Sequence, residues 1–267
     1  LVRGQSITRY CAQNNLVLGD KLQLFIDVCA AVQHAHQRGI IHRDLKPDNI
    51  LISTDDGVAV VKVIDFGIAK ATAGVLTDKT LHTHAAQMMG TPAYMSPEQA
   101  GQSDLDIDTR SDIYSLGVVL YELLTGSPPH DPTALAKSTI ADVQRIICEV
   151  EPERPSTRIR RLGSASAATG AVGDVGDPRA ARGIKGDLDW IVMKCLEKQR
   201  TRRYDSAGDL VADIKRHLRR EPVLAGPPGI RYRGTRFVQR HRGLVAAGAA
   251  VLVTALIGAG SALSGYR

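Results

Sequence analysis

The sequence has few cysteines, and no two of them lie close together. Cys11, Cys29, Cys148 and Cys195 are spread along 267 residues, and none belongs to a CxxC or CxxH pattern. Zinc sites and small disulfide frameworks depend on such spacings. We therefore expect reduced, mostly buried thiols rather than disulfides or a metal site built on cysteine.

An initiating methionine and a secretory signal peptide are also missing. The chain opens with Leu1-Val2-Arg3, which resembles neither feature. We therefore expect this chain to be a piece cut from a longer reading frame.

The folded body carries no excess of positive charge. The formal net charge is +6, but residues 219–267 hold eight arginines and one acid, whereas the other residues hold 26 basic and 27 acidic side chains. A nucleic-acid-binding domain presents its cations on a face of the folded body. We therefore predict no nucleic-acid partner and assign the basicity to the C-terminal part of the chain.

The first half of the sequence predicts a helix followed by a β-hairpin. Apolar residues with helical spacing follow Asp20, a good N-cap, and Gly39 ends the pattern. Two short β-type runs, at 50–52 and 58–64, flank the turn signal at 55–57. We expect these two runs to pair as a small hairpin.

The second half predicts a helical body. Residues 112–125 are apolar almost all round, which is typical of a helix buried in the middle of a domain. Residues 71–95 lack periodicity and predict a long functional loop, and the Gly, Ala and Ser content of 163–183 predicts a flexible insertion. Further helices are predicted at 134–149, 187–198 and 206–219.

The last segment, 243–265, contains no charged residue. At about 1.5 Å per residue such a helix would cross a bilayer. The alternatives are a buried core helix or a Gly/Ala-rich linker. A preceding cluster of arginines favours a single transmembrane helix with the rest of the chain in the cytoplasm. These arginines lie in a basic juxtamembrane linker predicted at 219–242: Arg231, Arg233, Arg236, Arg240 and Arg242.

The predicted partners at the cell membrane are therefore lipids. Small-xxx-small spacings in the predicted span, such as Gly243 with Ala247, are compatible with a homodimer.

Three motifs stand in a fixed order along the chain: HRDLKPDN at 42–49, DFG at 65–67 and GTPAYMSPE at 90–98. With these motifs the sequence resembles the protein-kinase superfamily. The residues of these motifs are most similar to those of the eukaryotic-like (Hanks-type) bacterial Ser/Thr kinases that carry a membrane span. The resemblance covers about residues 1–218.

The resemblance implies an α+β fold. It predicts the large lobe of a protein kinase, mainly α-helical with a small β-hairpin, over residues 1–218. No GxGxxG strand and no strand Lys of the VAIK type appears, so the small N-terminal lobe is predicted to be absent and the isolated fragment inactive. Val2 would then offer backbone hydrogen bonds to adenine, and Leu51 would form the floor beneath it.

The resemblance also implies roles in phosphoryl transfer from ATP. Asp44 would accept or orient the proton of the acceptor hydroxyl, and Lys46 would contact the transferred phosphate. Asn49 and Asp65 would bind Mg²⁺ or Mn²⁺ with the hard oxygen ligands that such ions prefer. The partners implied are protein substrates with Ser or Thr acceptors.

Further residues are implied to organise the site. Arg43 would pair with a phosphorylated activation loop, and Asp112 would anchor the backbone of the catalytic loop. Glu98 would form an ion pair with Arg203. The activation-loop candidates are Thr77, Thr80, Thr83 and Thr91, of which Thr91 would contact the catalytic loop and favour Ser/Thr acceptors.

Two other functions stay open. A non-catalytic, membrane-tethered kinase remnant acting as a scaffold is the first alternative. The second is a small-molecule kinase of the same fold, such as an antibiotic phosphotransferase. It is disfavoured because such enzymes generally lack the long activation loop, the GTxxYxSPE element and a partner like Arg203.

Overall fold

The computed structural model describes residues 3–55, 57–66, 92–101, 107–169, 183–227, 229 and 232. Short 3₁₀ helices occur at Pro47–Asn49, Pro92–Tyr94 and Arg200–Arg202. The strands are β1 Gln5–Ser6, β2 Ile50–Asp55 and β3 Val58–Val63. The helices are α1 Ile7–Gln13, α2 Leu18–His36, α3 Pro97–Ala100, α4 Thr109–Thr125, α5 Pro132–Lys137, α6 Ile140–Glu149, α7 Pro155–Thr169, α8 Asp187–Cys195 and α9 Ala207–Leu218.

The strands of the described residues form one antiparallel sheet in the order β1-β2-β3. In β2 and β3, Ile50 pairs with Val63 and Asp55 pairs with Val58, so the predicted hairpin is present. The added strand β1 pairs Gln5 with Ile52. A strand of two residues is too short to show the alternation by which strands are recognised in a sequence.

Helix α4 lies at the centre of the helical body. From Ser111 to Tyr121 every residue is buried, as predicted for an element apolar on all sides. The helix begins at Thr109, before the predicted start, because the Asp108 side chain accepts a hydrogen bond from the Arg110 N–H and caps the first turn. It ends at Gly126, whose φ of 82° is a left-handed C-cap.

Helix α2 packs beside α4 and leads into the 42–49 loop. It begins at Leu18, so Asp20 lies in its first turn instead of capping it. A carboxylate in that position still stabilises a helix through the macrodipole. Gly39, with φ of 72°, reverses the chain after the helix.

The region predicted as one helix over 134–149 forms two helices. Ser138 is extended, and the Thr139 side chain accepts a hydrogen bond from the Asp142 N–H to start α6. The side chain of Asp131 caps α5 in the same way. After α6, helix α7 continues to Thr169, inside the segment predicted as a flexible insertion.

The predicted fold class needs correction. The sheet has a third strand near the N-terminus, where a hairpin alone was predicted. In the part of the chain that the structure describes, no helix has the length and apolar character needed to cross a membrane. The predicted span at 243–265 and most of the linker at 219–242 lie outside the described residues, and the localisation at the cell membrane stays a prediction.

Candidate active site

The 42–49 loop is anchored by a buried carboxylate of α4. Asp112, which is fully buried, accepts hydrogen bonds from the backbone N–H of His42 at 2.8 Å and of Arg43 at 2.9 Å. His36 Nε2, at the end of α2, lies 2.8 Å from Asp112 Oδ2. A buried carboxylate needs such partners to offset its lost hydration. Asp112 therefore fixes the start of the loop against both α2 and α4.

The backbone of Arg43 is held in an unusual conformation. Its φ of 64° is in the left-handed region that non-glycine residues rarely adopt. Its carbonyl accepts a hydrogen bond of 2.7 Å from Gln99 Nε2 on α3, while its N–H is held by Asp112. Strained backbone of this kind persists where the surroundings impose it, and such positions cluster at functional sites.

Two polar side chains of the loop converge on one carboxylate oxygen of a third, Asp44. Lys46 Nζ lies 3.0 Å from Asp44 Oδ2, and Asn49 Nδ2 donates to the same oxygen at 3.2 Å. Asn49 Nδ2 also donates to the Asp44 carbonyl at 2.8 Å. The Asp44 and Lys46 side chains remain 30% and 22% exposed, so a ligand in solution can reach them.

Asp65 is brought to the same loop by the end of β3. The Ile64 N–H donates to the Asn49 carbonyl at 2.9 Å. His42 Nε2 donates to the Ile64 carbonyl at 2.8 Å, and the His42 ring lies 4.6 Å from the ring of Phe66. Between Ile64 and Phe66, the exposed Asp65 adopts a φ of 57°. The HRD segment is thus joined to the DFG segment through Ile64, the residue before Asp65, and through the ring contact of His42 with Phe66.

Asn49 and Asp65 fit a site for a hard cation. The Asn49 amide hydrogens point to Asp44, which leaves its carbonyl oxygen as the group that can ligate a metal. Within the described ranges, no group of three or more His, Cys, Asp or Glu residues could hold a metal ion. Mg²⁺ is commonly bound through one or two protein oxygens together with phosphates, and these two residues suit that arrangement.

The side chains of Glu98 and Arg203 form a bidentate pair across 105 positions of the chain. Arg203 donates to the Glu98 carboxylate at 2.7 and 2.8 Å, and Ser111 Oγ donates to it at 2.6 Å. Burial alone would raise the Glu98 pKa, but the hydrogen bonds and charge of Arg203, with the Ser111 hydrogen bond, bring the pKa below its ordinary value. The pair fixes α3 to the loop before α9.

The other predicted site residues lie on β2 or outside the described residues. Leu51 lies on β2, opposite Ser6 of β1 and Lys62 of β3. The predicted adenine contact, Val2, lies outside the described residues. So do the activation-loop candidates Thr77, Thr80, Thr83 and Thr91.

The sequence reasoning missed Gln99, His36 and the pair of Tyr94 with Glu122. Gln99 Oε1 accepts from the Ser96 N–H at 3.0 Å, which forms a capping box at the start of α3. The pattern of Ser96 followed by Gln99 could have predicted that helix start. The hydroxyl of Tyr94 donates to Glu122 at 2.5 Å. Nothing local in the sequence indicates that contact.

The family model of the protein kinase domain matches residues 1–216. The chain belongs to the protein kinase family. This match replaces the fold class predicted from the sequence, which described a large lobe lacking its small lobe and followed by a transmembrane helix. The kinase fold extends over residues 1–216, including the strands near the N-terminus.

This chain is similar to several bacterial Ser/Thr kinases. It is 40% identical over 196 residues to the serine/threonine-protein kinase PknB of Mycobacterium leprae, a match that covers 73% of this chain and 26% of the relative. It is 47% identical over 129 residues to the serine/threonine-protein kinase Pkn1 of Myxococcus xanthus, covering 47% of this chain and 18% of the relative. The kinase thus spans about a quarter, or less, of the length of these curated relatives.

A solved structure supports the fold alone. The PknI kinase domain of Mycobacterium tuberculosis matches with a TM-score of 0.53 and 23% identity, covering 81% of this chain and 64% of the other.

Proposed function

We propose that the protein containing this chain transfers the γ-phosphate of ATP to Ser and Thr hydroxyls of other proteins. The observation that carries this proposal is the convergence of Lys46 and Asn49 on the Asp44 carboxylate, within 3.2 Å, on a loop anchored by buried Asp112. Phosphoryl transfer depends mainly on positioning and charge compensation. A preorganised loop of this kind supplies both.

Each polar side chain has a separate task in this proposal. The Asp44 carboxylate orients the acceptor hydroxyl and takes up its proton. The Lys46 ammonium, 3.0 Å from that carboxylate, compensates charge on the phosphoryl group in transit. Asn49 and Asp65 hold Mg²⁺ or Mn²⁺, which when bound neutralises charge on the ATP phosphates.

We also propose a regulatory role for Arg43. Its left-handed backbone, with φ of 64°, fixes this cation immediately before Asp44. A phosphate on Thr77, Thr80 or Thr83 would find a charge-assisted partner there. Arg43→Gln is expected to abolish the activation that follows phosphorylation while leaving the basal rate of the unphosphorylated protein unchanged. Equal activation of both proteins would contradict this role.

The transfer reaction is tested with ATP labelled at the γ-phosphate. The full-length protein is incubated with Mg²⁺ and a protein acceptor, and label is expected on Ser and Thr of the acceptor. Asp44→Asn should lower the rate by about 10²–10⁴-fold, because an amide cannot take up the proton. Asp20→Asn, the same chemical change at an exposed position of α2, should leave the rate unchanged.

The same experiment, with a measurement of MgATP binding and a parallel reaction on a small-molecule acceptor, separates the alternatives. Equal labelling by Asp44→Asn and the natural protein would contradict the role of Asp44. Failure of the full-length protein both to bind MgATP and to transfer label would favour a scaffold. Label on a small-molecule acceptor, with none on protein, would favour a small-molecule kinase.

A further inference from the structure

The chain turns back over the helical body after α9. Residues 221–226, together with Tyr232, form a segment that we call the C-terminal clamp. Val223 is only 4% exposed and belongs to the main hydrophobic core, whereas the next residue, Leu224, is 68% exposed. The family match ends at residue 216, so the clamp lies beyond the matched kinase domain and yet contributes to its core.

The clamp is held by a fully buried carboxylate of α9. Asp213 accepts hydrogen bonds from two successive backbone N–H groups of the clamp, those of Leu224 at 2.8 Å and Ala225 at 2.9 Å. Within the described residues it also accepts from the Tyr204 hydroxyl at 2.9 Å and from Arg216 at 2.8 Å. Two of these four donors belong to the clamp, so the solvation of this buried charge depends on clamp docking.

A second buried carboxylate holds the other end of the clamp. The Tyr232 hydroxyl donates to Asp187 of α8 at 2.9 Å and accepts from the Val223 N–H at 2.9 Å. The Tyr232 ring packs edge-on against Trp190, with ring centroids 5.1 Å apart. Gly226 lies against both rings, and a Cβ there would come within 3.0 Å of Tyr232.

A series of hydrogen bonds, linked by residues adjacent in the chain, joins the clamp to the catalytic loop. Tyr204, which shares Asp213 with the clamp, directly follows Arg203, the partner of Glu98. Gln99, which directly follows Glu98, donates to the Arg43 carbonyl at 2.7 Å.

We propose that the C-terminal clamp is a conformational device that couples the chain beyond the kinase domain to the catalytic loop. When the clamp is docked, Asp213 is fully partnered and keeps Tyr204 in place, so that Arg203 stays aligned with Glu98. When a force or a partner on the following chain lifts the clamp, Asp213 loses two of its four donors within the described residues, and Tyr204 and Arg216 still hold it. The buried carboxylate then shifts to recover partners, and Tyr204 shifts with it. Arg203, which directly precedes Tyr204, then loses its alignment with Glu98. Helix α3 is no longer fixed, and the Gln99 hydrogen bond to the Arg43 carbonyl weakens.

This coupling is tested by hydrogen exchange on the full-length protein, a readout independent of catalysis. Tyr232→Phe removes the hydroxyl that joins Val223 to Asp187. Gly226→Ala crowds the rings of Tyr232 and Trp190, which must shift to admit the added methyl group. We expect about tenfold faster exchange in 221–226, and also in 98–101 and 42–44, with no change at the centre of α4. Leu224→Ala is the matched control, because it trims an exposed side chain and keeps the backbone donor to Asp213.

Two results would overturn the proposal. Faster exchange in 221–226 with unchanged exchange at 42–44 and 98–101 would show that the clamp only covers the core locally. Acceleration by one common factor everywhere, including α4, would show general destabilisation without directed coupling.

Discussion

At the scale of single residues, Asp112 anchors the catalytic loop. Its carboxylate accepts two backbone N–H groups of the catalytic loop and lies 2.8 Å from His36 Nε2. In Asp112→Asn, one carboxylate oxygen is replaced by an NH₂ group, which cannot accept a hydrogen bond. One of the two backbone N–H groups therefore stays without an acceptor. We expect a loss of about 1–3 kcal/mol in the free energy of unfolding. A displaced loop should also transfer phosphate about 100-fold more slowly.

The control for this prediction lies on the same helix. Asp108 caps α4 by accepting from the Arg110 N–H, and asparagine is an equally good N-cap. Asp108→Asn should therefore leave both the urea denaturation curve and the transfer rate nearly unchanged. If Asp112→Asn behaves like Asp108→Asn in both measurements, the anchoring role is wrong.

The lowered pKa of Glu98 predicts how the stability of the protein depends on pH. Its pKa in the folded protein lies below the ordinary value of 4.5, and the unfolded chain has that ordinary value. The unfolded state therefore binds the proton more readily in acid. The stabilisation from Glu98 is present above the unfolded pKa, and it is lost as the pH falls through the folded pKa.

This dependence is measured by chemical denaturation from neutral pH down to about pH 3. Glu98→Gln should lower the stability at neutral pH and flatten the acid part of the profile. Glu149→Gln, at an exposed helix end, should leave the profile unchanged. An unaltered acid slope in Glu98→Gln would refute the assigned contribution.

At the scale of elements, the close contact of α4 and α8 depends on Gly117. A Cβ at this position would lie 2.4 Å from the Cβ of Cys195, a separation that real structures do not tolerate. Gly117→Ala should force the two helices apart and lower the free energy of unfolding by about 1–3 kcal/mol.

Gly19, in the first turn of α2, provides the comparison. A Cβ there would meet nothing within 4 Å. Because alanine restricts the unfolded chain more than glycine, Gly19→Ala should raise stability by about 0.5–1 kcal/mol. Thermal unfolding of Gly117→Ala and Gly19→Ala checks these two opposite predictions. A Gly117→Ala protein as stable as the natural one would contradict the packing described for α4.

Elements with a strong local signal could be predicted from the sequence. The apolar run that ends at Thr125 predicted the buried helix α4, and the turn at 55–57 predicted the β2–β3 hairpin. The split at Ser138 was missed because capping by Thr139 overrode a continuous helical pattern. Strand β1 was missed because two residues carry no periodicity.

At the scale of the whole molecule, contacts between distant positions could not be predicted from local sequence patterns alone. The pairing of Glu98 with Arg203, 105 positions apart, was implied only by resemblance to a family. The clamp contact between Asp213 and the backbone of Leu224 was not predicted, because a polar side chain bonded to backbone leaves no periodic signal. The loop motifs identified the reacting groups, whereas the support around them was visible only in three dimensions.

Asp44, Asn49 and Asp65 are proposed to act as one phosphoryl-transfer centre. The most direct measurement is the single-turnover rate of the full-length protein at saturating ATP, as a function of Mg²⁺ concentration. Asp44→Asn should lower the maximal rate by about 10²–10⁴-fold without changing the Mg²⁺ midpoint. Asp65→Asn should move that midpoint to higher concentration, because a ligand is weakened. An Asp44→Asn protein that transfers phosphate at the natural rate, or an Asp65→Asn protein with an unchanged midpoint, would contradict this shared centre.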